Sequence, residues 1–212
     1  MDGAKPIPLH GAPDAGQGTH AGTGFLVTDS TSVWLVTCAH IVSGKVNTPP
    51  DIDIFAHAKL YVVGTEIDIP LCVAGKPMFN PVTHSPTGFI LDAIAVKLTP
   101  SLIENLAGYG MYDLRSVVPV KIGQRVTISG FPGLGKKLIP ATTMQANIDR
   151  ITEIDVALSK PTGLGYSGGP VTRPEGLVGM TYGDVGKPSK LTNAVATLFA
   201  GPAIAIFSLP QA

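Results

Sequence analysis

Short runs of apolar and β-branched residues recur along the chain, separated by polar, glycine-rich or proline-rich segments. Gly24–Val27 and Val33–Thr37 show the pattern, because a polar segment of turn-forming residues, 28–32, joins them. Such a pair predicts a β-hairpin. Further strands are predicted at residues 52–55, 59–63, 66–69, 89–98, 125–129, 142–151, 154–158, 170–172 and 177–182.

One helical signal interrupts the strands near the middle of the chain. Ser101 and Glu104 have the spacing of a capping box, which predicts a short helix. About a dozen short strands with one or two short helices are typical of an all-β double barrel or sandwich. We therefore divide the sequence into a first β unit, 22–100, a linker with the helix, 101–118, and a second β unit, 119–212.

The first residues, 1–21, are rich in Gly, Pro and Ala and show no periodicity. This composition predicts an extended N-terminal arm along the surface. The same residues lack the basic and then apolar pattern of a signal peptide.

The composition favours strands over helices and excludes two classes of partner. Of the 212 residues, 44% are hydrophobic and 14% are charged, against about 25% charged residues in typical domains. The 25 glycines and 19 prolines disfavour long amphipathic helices. The formal net charge is +0, and no apolar run reaches the roughly 18 residues of a membrane span. We therefore expect neither nucleic acid nor a membrane as a partner.

The two cysteines, Cys38 and Cys72, are too few for a disulfide framework, and we expect two free thiols. Cys38 lies two positions before His40, which raises the hypothesis of a Cys/His catalytic pair. A nucleophile that close in sequence could hardly aim at its base. We therefore interpret Cys38 as a small buried residue.

The segment Gly130–Lys136 has the glycine and lysine spacing of a phosphate-binding loop. The motif requires Ser or Thr next, to bind magnesium, but Lys137 follows. Leu138–Pro140 then blocks the helix whose N-terminus would face the phosphates. We therefore expect no nucleotide here, and the sequence predicts no cofactor and no metal.

The segment Gly163–Val171 places one serine, Ser167, among glycines and between two strand-like runs. Glycines let the backbone turn sharply and direct N–H groups at one point, as an oxyanion hole requires. Gly165–Gly169 also fits the Gly-x-Ser-x-Gly pattern of α/β-hydrolases, but that fold places its histidine after the serine. All five histidines precede Ser167 here: His10, His20, His40, His57 and His84. The order His, Asp, Ser of another triad family remains open.

The base and the acid of such a triad have candidates upstream of the serine. His40 follows a predicted strand, where a rigid sheet can hold its ring. Asp92 interrupts an apolar run, where a carboxylate costs several kcal/mol unless it is paired. An imidazole Nδ1–H would be such a partner and would direct Nε2 toward Ser167. Asp51 and Asp53 also lie between histidine and serine, but in a polar segment, so Asp92 is favoured.

Three segments together resemble the signature motifs of the chymotrypsin-like serine peptidases: Thr37–His40, Asp92 with its apolar successors, and Gly165–Pro170. The bacterial branch with the Deg/Htr peptidases and the glutamyl endopeptidases is the most similar. In that branch the hairpin that opens the second barrel resembles residues 120–126 and 130–133. The resemblance covers roughly residues 22 to 200 and implies an all-β fold of two six-stranded antiparallel β-barrels with one or two short helices.

The resemblance implies a serine endopeptidase in which Ser167 is the nucleophile, His40 the general base and then acid, and Asp92 the group that orients His40. The backbone N–H groups of Gly165 and Ser167 would form the oxyanion hole. A protein or peptide substrate would bind as an added strand along the second barrel. The residues predicted to contact it are Pro161, Thr162, Leu164, Thr181, Tyr182 and Gly183.

Departures from the family bear on activation, specificity and domain content. Tyr166 stands where digestive members carry an aspartate that pairs with a newly cut N-terminus, so we expect no activation by such cleavage. Pro161 and Thr162, near the floor of the specificity pocket, are not acidic, and Met180–Tyr182 lacks the histidine that selects glutamate. We predict a small or apolar residue before the scissile bond, unless Asp184 lines the pocket and restores a basic preference.

Two further expectations come from the resemblance. Deg/Htr relatives usually carry a C-terminal peptide-binding domain, and because this sequence stops at Ala212 we expect none. The alternative to catalysis is an inactive or self-inhibited scaffold that binds a peptide or protein. Such scaffolds commonly lose a triad residue, whereas all three candidates are present in this chain.

Overall fold

The computed structural model describes residues 3–11, 20–45, 55, 57–84, 89–135, 137–187, 190–199 and 204–205. The helices that lie entirely within these ranges are α1 (Ala39–Ser43) and α2 (Pro100–Leu106), and 3-10 turns cover Ala107–Tyr109 and Leu114–Ser116. The longer helix has seven residues, whereas a bilayer crossing needs about 20. Within the described ranges, therefore, no helix could span a membrane.

Strands make up most of the remaining described structure. In chain order they are β1 (Ile7–His10), β2 (Ala21–Thr28), β3 (Val33–Thr37), β4 (Lys59–Val62), β5 (Asp68–Pro70), β6 (Cys72–Val73), β7 (Lys76–Pro77), β8 (Phe79–His84), β9 (Phe89–Lys97), β10 (Tyr112–Asp113), β11 (Arg125–Gly130), β12 (Thr142–Ile151), β13 (Asp155–Leu158), β14 (Pro170–Arg173), β15 (Gly176–Lys187), β16 (Lys190–Leu198) and β17 (Ile204–Ala205).

The second unit closes into the predicted six-stranded antiparallel barrel, with the order β11, β12, β13, β16, β15, β14. Its interior follows the alternation of the sequence. Val126 and Ile128 on β11 point inward, whereas the residues that alternate with them, Arg125, Thr127 and Ser129, are exposed or half-buried. Val171 and Val178 belong to the same buried cluster. Period-2 patterning therefore predicted five of these six strands, all but β16, whereas the closed barrel itself was implied by the family resemblance.

The first unit is an open nine-stranded sheet and not a second closed six-stranded barrel, as far as the described residues show. The strand order is β17, β8, β9, β3, β2, β1, β4, β5, with β10 beside β2. The two edge strands, β5 and β17, are short and do not pair with each other in this part of the structure. A large buried cluster that includes Phe25, Leu35 and Val96 packs on this sheet.

The hairpin of β2 and β3 is confirmed, with Phe25 opposite Val36 and Thr28 opposite Val33. The prediction of a surface arm over residues 1–21 is wrong in part. Ile7–His10 forms β1, which is buried and pairs with both β2 and β4. The run is too short for its alternation to stand out among the prolines around it.

The central helix is confirmed, but its capping residue is not the predicted one. Thr99 is the N-cap of α2, and its side chain accepts the Leu102 N–H. Pro100 occupies the first turn, where its missing N–H has no intrahelical role. Ser101 therefore lies inside the helix. The strand predicted at 52–55 falls outside the described residues except for Phe55, which is helical, so the prediction is wrong at that residue. Asp51 and Asp53 also lie outside the described residues.

Besides β1 and the two-residue strands β6, β7 and β10, three strands of the described structure were not predicted from the sequence. β8 carries a proline, and β16 mixes small, polar and apolar residues without a regular alternation. Both pair along most of their length with a neighbouring strand of clear pattern, β9 and β15 respectively. The third is β17, whose two residues pair with the end of β8. Tertiary pairing thus decided elements whose local pattern is weak.

Candidate active site

The register of two strands brings the histidine to the aspartate. β3 pairs antiparallel with β9, and its last residue, Thr37, lies opposite Ile94. Two residues further along the same register, the start of α1 lies opposite Asp92. His40 is the second residue of α1, so its ring and the Asp92 carboxylate meet at the end of the sheet.

Both oxygens of the Asp92 carboxylate contact His40. Oδ1 accepts the backbone N–H at 2.9 Å, and Oδ2 lies 2.7 Å from Nδ1 of the ring. An ionised carboxylate only accepts hydrogen bonds, so Nδ1 carries the proton and Nε2 keeps a free lone pair. The backbone contact also satisfies an N–H that the first turn of a helix leaves unpaired. The two side chains are 5% and 6% exposed, so the pair is desolvated.

Two titratable groups near this pair are held in their neutral forms. Burial and, secondarily, the charge of Asp92 raise the pKa of the Cys38 thiol well above its usual range. Burial and, secondarily, the charge of Asp155 raise the pKa of Tyr182, whose hydroxyl donates to Asp155 Oδ2 at 3.2 Å. Cys38 is fully buried, which agrees with its interpretation as a packing residue.

The serine loop, residues 161–169, is linked to the segment before His40 through one carbonyl of the barrel. Thr181 O on β15 accepts the Gly168 N–H at 2.7 Å, and Cys38 Sγ donates to the same oxygen at 3.5 Å. Gly168 directly follows Ser167, and Cys38 lies two residues before His40. This carbonyl therefore joins the segments that carry the predicted nucleophile and the predicted base.

A second contact joins the serine loop to β2. Because β3 ends opposite Gly24, β2 has no strand partner on that side at Thr23. There the Thr23 N–H donates to Ser167 O at 2.8 Å. A Cβ placed on Gly22 would lie 2.8 Å from Ser167 O and 2.5 Å from Ile41 Cδ1. Gly22, the serine loop and α1 are therefore in direct contact.

Two glycines of the serine loop occupy positions that other residues could take only with strain. Gly168 has a φ of +81°, and a Cβ there would lie 1.9 Å from Thr23 O. Gly165 has a φ of +94°, and a Cβ there would lie 2.0 Å from Phe131 O. The left-handed backbone and the close approach of neighbouring carbonyls both require glycine at these positions.

The N–H groups of Gly165 and Ser167 have no acceptor within the described part of the chain. The carbonyls that precede them, Leu164 O and Tyr166 O, each accept a backbone N–H of the protein, at 3.2 and 2.8 Å respectively. A trans peptide places its C=O and N–H on opposite sides. Both N–H groups therefore point away from these internal contacts.

Neutral hydrogen bonds hold the middle of the serine loop. The Tyr166 side chain is buried, and its hydroxyl shares a hydrogen bond with Thr142 Oγ1. The Thr181 hydroxyl can donate to either of two loop carbonyls, Tyr166 O at 2.7 Å or Gly169 O at 3.1 Å. These contacts stabilise the loop without any ionic partner for residue 166.

The Asp184 carboxylate holds the first part of the serine loop. Oδ1 accepts the Thr162 N–H at 2.8 Å and the Thr162 hydroxyl at 3.0 Å, and Oδ2 accepts the Gly163 N–H at 2.7 Å. Asp184 lies on β15, so it bridges the strand and the loop that were predicted to flank the specificity pocket. Three donors of the protein thus satisfy its two oxygens.

The residues predicted to contact substrate differ in exposure. Four of them are half-buried: Pro161, Thr162, Tyr182 and Gly183. Leu164 is 70% exposed. Thr181 is fully buried, and its N–H, carbonyl and hydroxyl all bind inside the protein. The prediction that Thr181 contacts substrate is therefore corrected. Thr181 has a structural role at the seam, by which we mean the place where Thr181 O binds both Cys38 and Gly168.

One edge of β15 lacks a strand partner beyond that seam. Pairing with β14 ends at Met180, whereas pairing with β16 continues to Lys187. From Tyr182 onward, the β14 side of the strand is therefore unpaired in the described structure. An extended peptide can add to such an edge by backbone hydrogen bonds.

Three further observations describe this region. No hydrogen bond joins His40 Nε2 to Ser167 Oγ among the described residues. The residues after β11 that the structure describes, 131–135 and 137–141, form no helix, and the Gly133 N–H instead binds Leu164 O. The described residues contain no group of three side chains that could hold a metal ion.

Comparison with known proteins agrees with this architecture. A profile of the trypsin-like peptidase domain matches residues 22–180. Because the match covers most of the chain, the protein belongs to the trypsin-like peptidase domain family. No curated protein matches the sequence significantly.

Several solved structures share the fold at low sequence identity. The MamO protease domain from Magnetospirillum magneticum is 14% identical, with a TM-score of 0.55, and the alignment covers 92% of each chain. The serine protease domain of the Sesbania mosaic virus polyprotein is 16% identical, with a TM-score of 0.52, covering 92% of this chain and 88% of that one. Human heparin binding protein is 9% identical, with a TM-score of 0.57, covering 92% and 86%. The fold is thus that of the chymotrypsin-like serine proteases.

Sequence reasoning missed two residues that shape the site. Thr23 contacts the serine loop from β2, and its one signal is a polar β-branched residue between Gly22 and Gly24. Asp184 was considered only as a pocket acid, whereas its carboxylate supports the loop backbone. In both cases the partner lies more than 20 positions away along the chain. Local sequence patterns do not predict such a contact.

Proposed function

We propose that this protein is a serine endopeptidase with the triad Ser167, His40 and Asp92. The observation that carries the proposal is the buried hydrogen bond between His40 Nδ1 and the Asp92 carboxylate, placed where both β2 and β15 bind the backbone at and beside Ser167. A desolvated carboxylate that fixes one imidazole nitrogen leaves the other free as a base. The trypsin-like peptidase family supports the same assignment.

In the proposed reaction, Ser167 Oγ attacks the carbonyl carbon of the scissile bond while His40 Nε2 accepts its proton. Asp92 stabilises the imidazolium that forms. The negative oxygen of the tetrahedral intermediate accepts the N–H groups of Gly165 and Ser167. His40 then protonates the leaving amine, and a water molecule hydrolyses the acyl-enzyme by the same steps in reverse order.

The substrate is proposed to bind as an extended strand on the unpaired edge of β15, at Tyr182 and Gly183. Its side chain before the scissile bond would enter the space between this strand and the serine loop. The acid nearest to that space along β15, Asp184, already accepts three hydrogen bonds. It is therefore poorly suited to recognise Arg or Lys, and we retain the preference for a small or apolar residue.

Cleavage profiling with a peptide library tests this preference. We expect Ala, Val or Leu to dominate before the scissile bond. Strong selectivity for Arg or Lys in the wild-type protein, and its loss in Asp184→Asn, would contradict the assignment of Asp184 to loop support. A preference for glutamate would favour the glutamyl-endopeptidase branch over the Deg/Htr branch.

Covalent labelling with a fluorophosphonate tests the proposed function itself. We expect wild-type protein to be labelled, Ser167→Ala to be unlabelled, and peptide hydrolysis by that variant to fall roughly 10⁶-fold. Ser159→Ala is a suitable control, because the hydroxyl of Ser159 accepts the Asn147 N–H on the same barrel. Absence of labelling in folded wild-type protein would refute catalysis by Ser167.

The second candidate function is a peptide-binding scaffold without catalysis. One observation favours it, namely that His40 and Ser167 are not hydrogen-bonded to each other in the described structure. In proteases without substrate, however, such contacts are often long and tighten only when the complex forms. Binding of an unmodified peptide without turnover, together with no fluorophosphonate labelling, distinguishes this candidate from the first.

A further inference from the structure

The hydroxyl of Thr23 is a buried polar group for which the proposed mechanism has no direct use. Thr23 lies on β2 and is fully buried. Its N–H binds Ser167 O at 2.8 Å, and its carbonyl accepts the hydroxyl of Thr37 at 2.7 Å. The Thr23 hydroxyl itself donates to Gly165 O at 2.7 Å. One residue of the first sheet therefore contacts the serine loop at two places.

The Gly165 carbonyl needs such a partner to keep its orientation. Gly165 has a φ of +94°, and glycine permits the peptide units on either side of it to rotate at little energetic cost. Two groups bind its carbonyl, the Phe131 N–H at 3.3 Å and the Thr23 hydroxyl at 2.7 Å. The shorter of these contacts comes from Thr23.

The space around this hydrogen bond is shaped to allow it. A Cβ placed on Gly130 would lie 3.1 Å from Thr23 Oγ1 and 2.7 Å from the Tyr166 ring. Glycine at 130 therefore lets both side chains reach the loop. In a fully buried position an unsatisfied carbonyl is strongly disfavoured, so rotation of the Gly165 carbonyl away from the two groups that bind it is opposed.

We propose that Thr23 is a positioning residue that fixes the oxyanion-binding shape of the serine loop. By this means the first unit, which carries the general base, also sets the geometry of the anion site on the closed barrel of the second unit. The proposal rests on the proposed function, because it requires Gly165 and Ser167 to bind the oxyanion. It assigns to a neutral hydroxyl the support that residue 166 cannot give through an ionic contact.

The test compares Thr23→Ser with Thr23→Ala, two variants that differ only in the hydroxyl. We expect Thr23→Ser to keep a kcat close to that of the wild type. Thr23→Ala should lose roughly 10- to 100-fold in kcat with little change in KM, somewhat less than the loss of an oxyanion donor itself. Binding of a peptide aldehyde, whose adduct carries the same anion, should weaken by the same factor.

The matched control is the same pair of substitutions at Thr28. This residue is on the same strand, and its hydroxyl donates to Ser32 O in the hairpin turn, at 3.1 Å. Its Ser and Ala variants should have equal kcat values. If Thr23→Ala does not fold, Thr23→Val, which conserves the volume, is measured in its place.

Three results have distinct meanings. Equal kcat values for the Ser and Ala variants at position 23, with active wild-type protein, would overturn the role of Thr23 alone. Inactive and unlabelled wild-type protein would instead overturn the proposed function. A kcat loss in Thr23→Ala that Thr23→Ser does not share, with unchanged aldehyde binding, would show that the hydroxyl acts elsewhere than on the oxyanion site.

Discussion

The two halves of the candidate site are held by different kinds of interaction. His40 is fixed by a charged side chain, because both oxygens of Asp92 bind it. Ser167 lies in a loop fixed almost entirely through its backbone, by Thr23, Thr181 and Asp184. The histidine half therefore depends on which side chain stands at one position. The serine half depends on backbone shape, which glycines make possible.

This difference teaches where substitutions act. Changing a side chain in the histidine half removes a chemical group and leaves the fold, whereas adding a side chain in the serine half displaces backbone and weakens the seam. The two halves meet at Thr181 O, which binds both Cys38 and Gly168. The following predictions begin with the largest expected effect.

Asp92→Asn should have the largest effect, because it removes the charge and favours the wrong imidazole tautomer. We expect kcat to fall by about 10⁴-fold, with the protein still folded. Steady-state hydrolysis of a chromogenic peptide measures the loss. Asp68→Asn is the control, since Asp68 forms an exposed ion pair with Lys59 on the same sheet. A loss below tenfold in Asp92→Asn would break the comparison between the halves.

Gly168→Ala should destabilise the protein more than a Gly→Ala substitution at a glycine with open space around it. The left-handed backbone alone costs about 1–2 kcal/mol, and overlap with Thr23 O adds roughly 1–3 kcal/mol. Gly123→Ala is matched, because Gly123 has a φ of +83° and nothing within 4 Å of an added Cβ. Urea unfolding measures both. Equal losses would mean that β2 does not press on the serine loop.

Tyr166 and Thr142 test the neutral support of the same loop. Removing the hydroxyl in Tyr166→Phe should lower the free energy of unfolding by about 1 kcal/mol. In a double-mutant cycle with Thr142→Val, the coupling energy should account for most of this loss. A coupling energy near zero would show that the hydrogen bond between the two hydroxyls contributes nothing to the loop.

The smallest expected effect is at the seam itself. Burial and, secondarily, the charge of Asp92 raise the pKa of Cys38, so its thiol should resist iodoacetamide at pH 8 in the native protein. Cys72, which is half-buried, is the internal control and should react first. Mass spectrometry after partial alkylation gives the order. Equal rates at the two cysteines would indicate that the two halves separate readily.

The sign of the pH dependence at Cys38 follows from the same shift. The folded state holds the thiol proton to higher pH than the unfolded state does, so its contribution is fully present below the ordinary thiol pKa of 9.0. Stability is lost as the pH rises above that value. Cys38→Ala should remove this part of the alkaline decline, and urea unfolding at pH 8 and pH 10 measures it.

Much of the architecture follows from the sequence, because it depends on local patterns. The strands β3, β11, β12 and β13 alternate or run apolar between clear turns, and the structure places their ends within one residue of the prediction, whereas β2 begins three residues before its predicted start. β1 and β16 were missed, since prolines or small residues hide their pattern. The closed second barrel was predicted, whereas the open nine-stranded sheet of the first unit depends on pairings between distant strands.

For the site, the sequence by itself determined the candidates: a histidine after a strand, an aspartate in an apolar strand and a serine among glycines. They follow one another in the order His, Asp, Ser of the chymotrypsin-like serine peptidases. Only the tertiary structure decided how they are held. Register placed Asp92 against His40, and long-range hydrogen bonds gave Thr23 and Asp184 their roles. The physical reason is that the residue type at one position determines the chemistry of its side chain. A contact between distant backbone segments, in contrast, forms only once those segments have packed together.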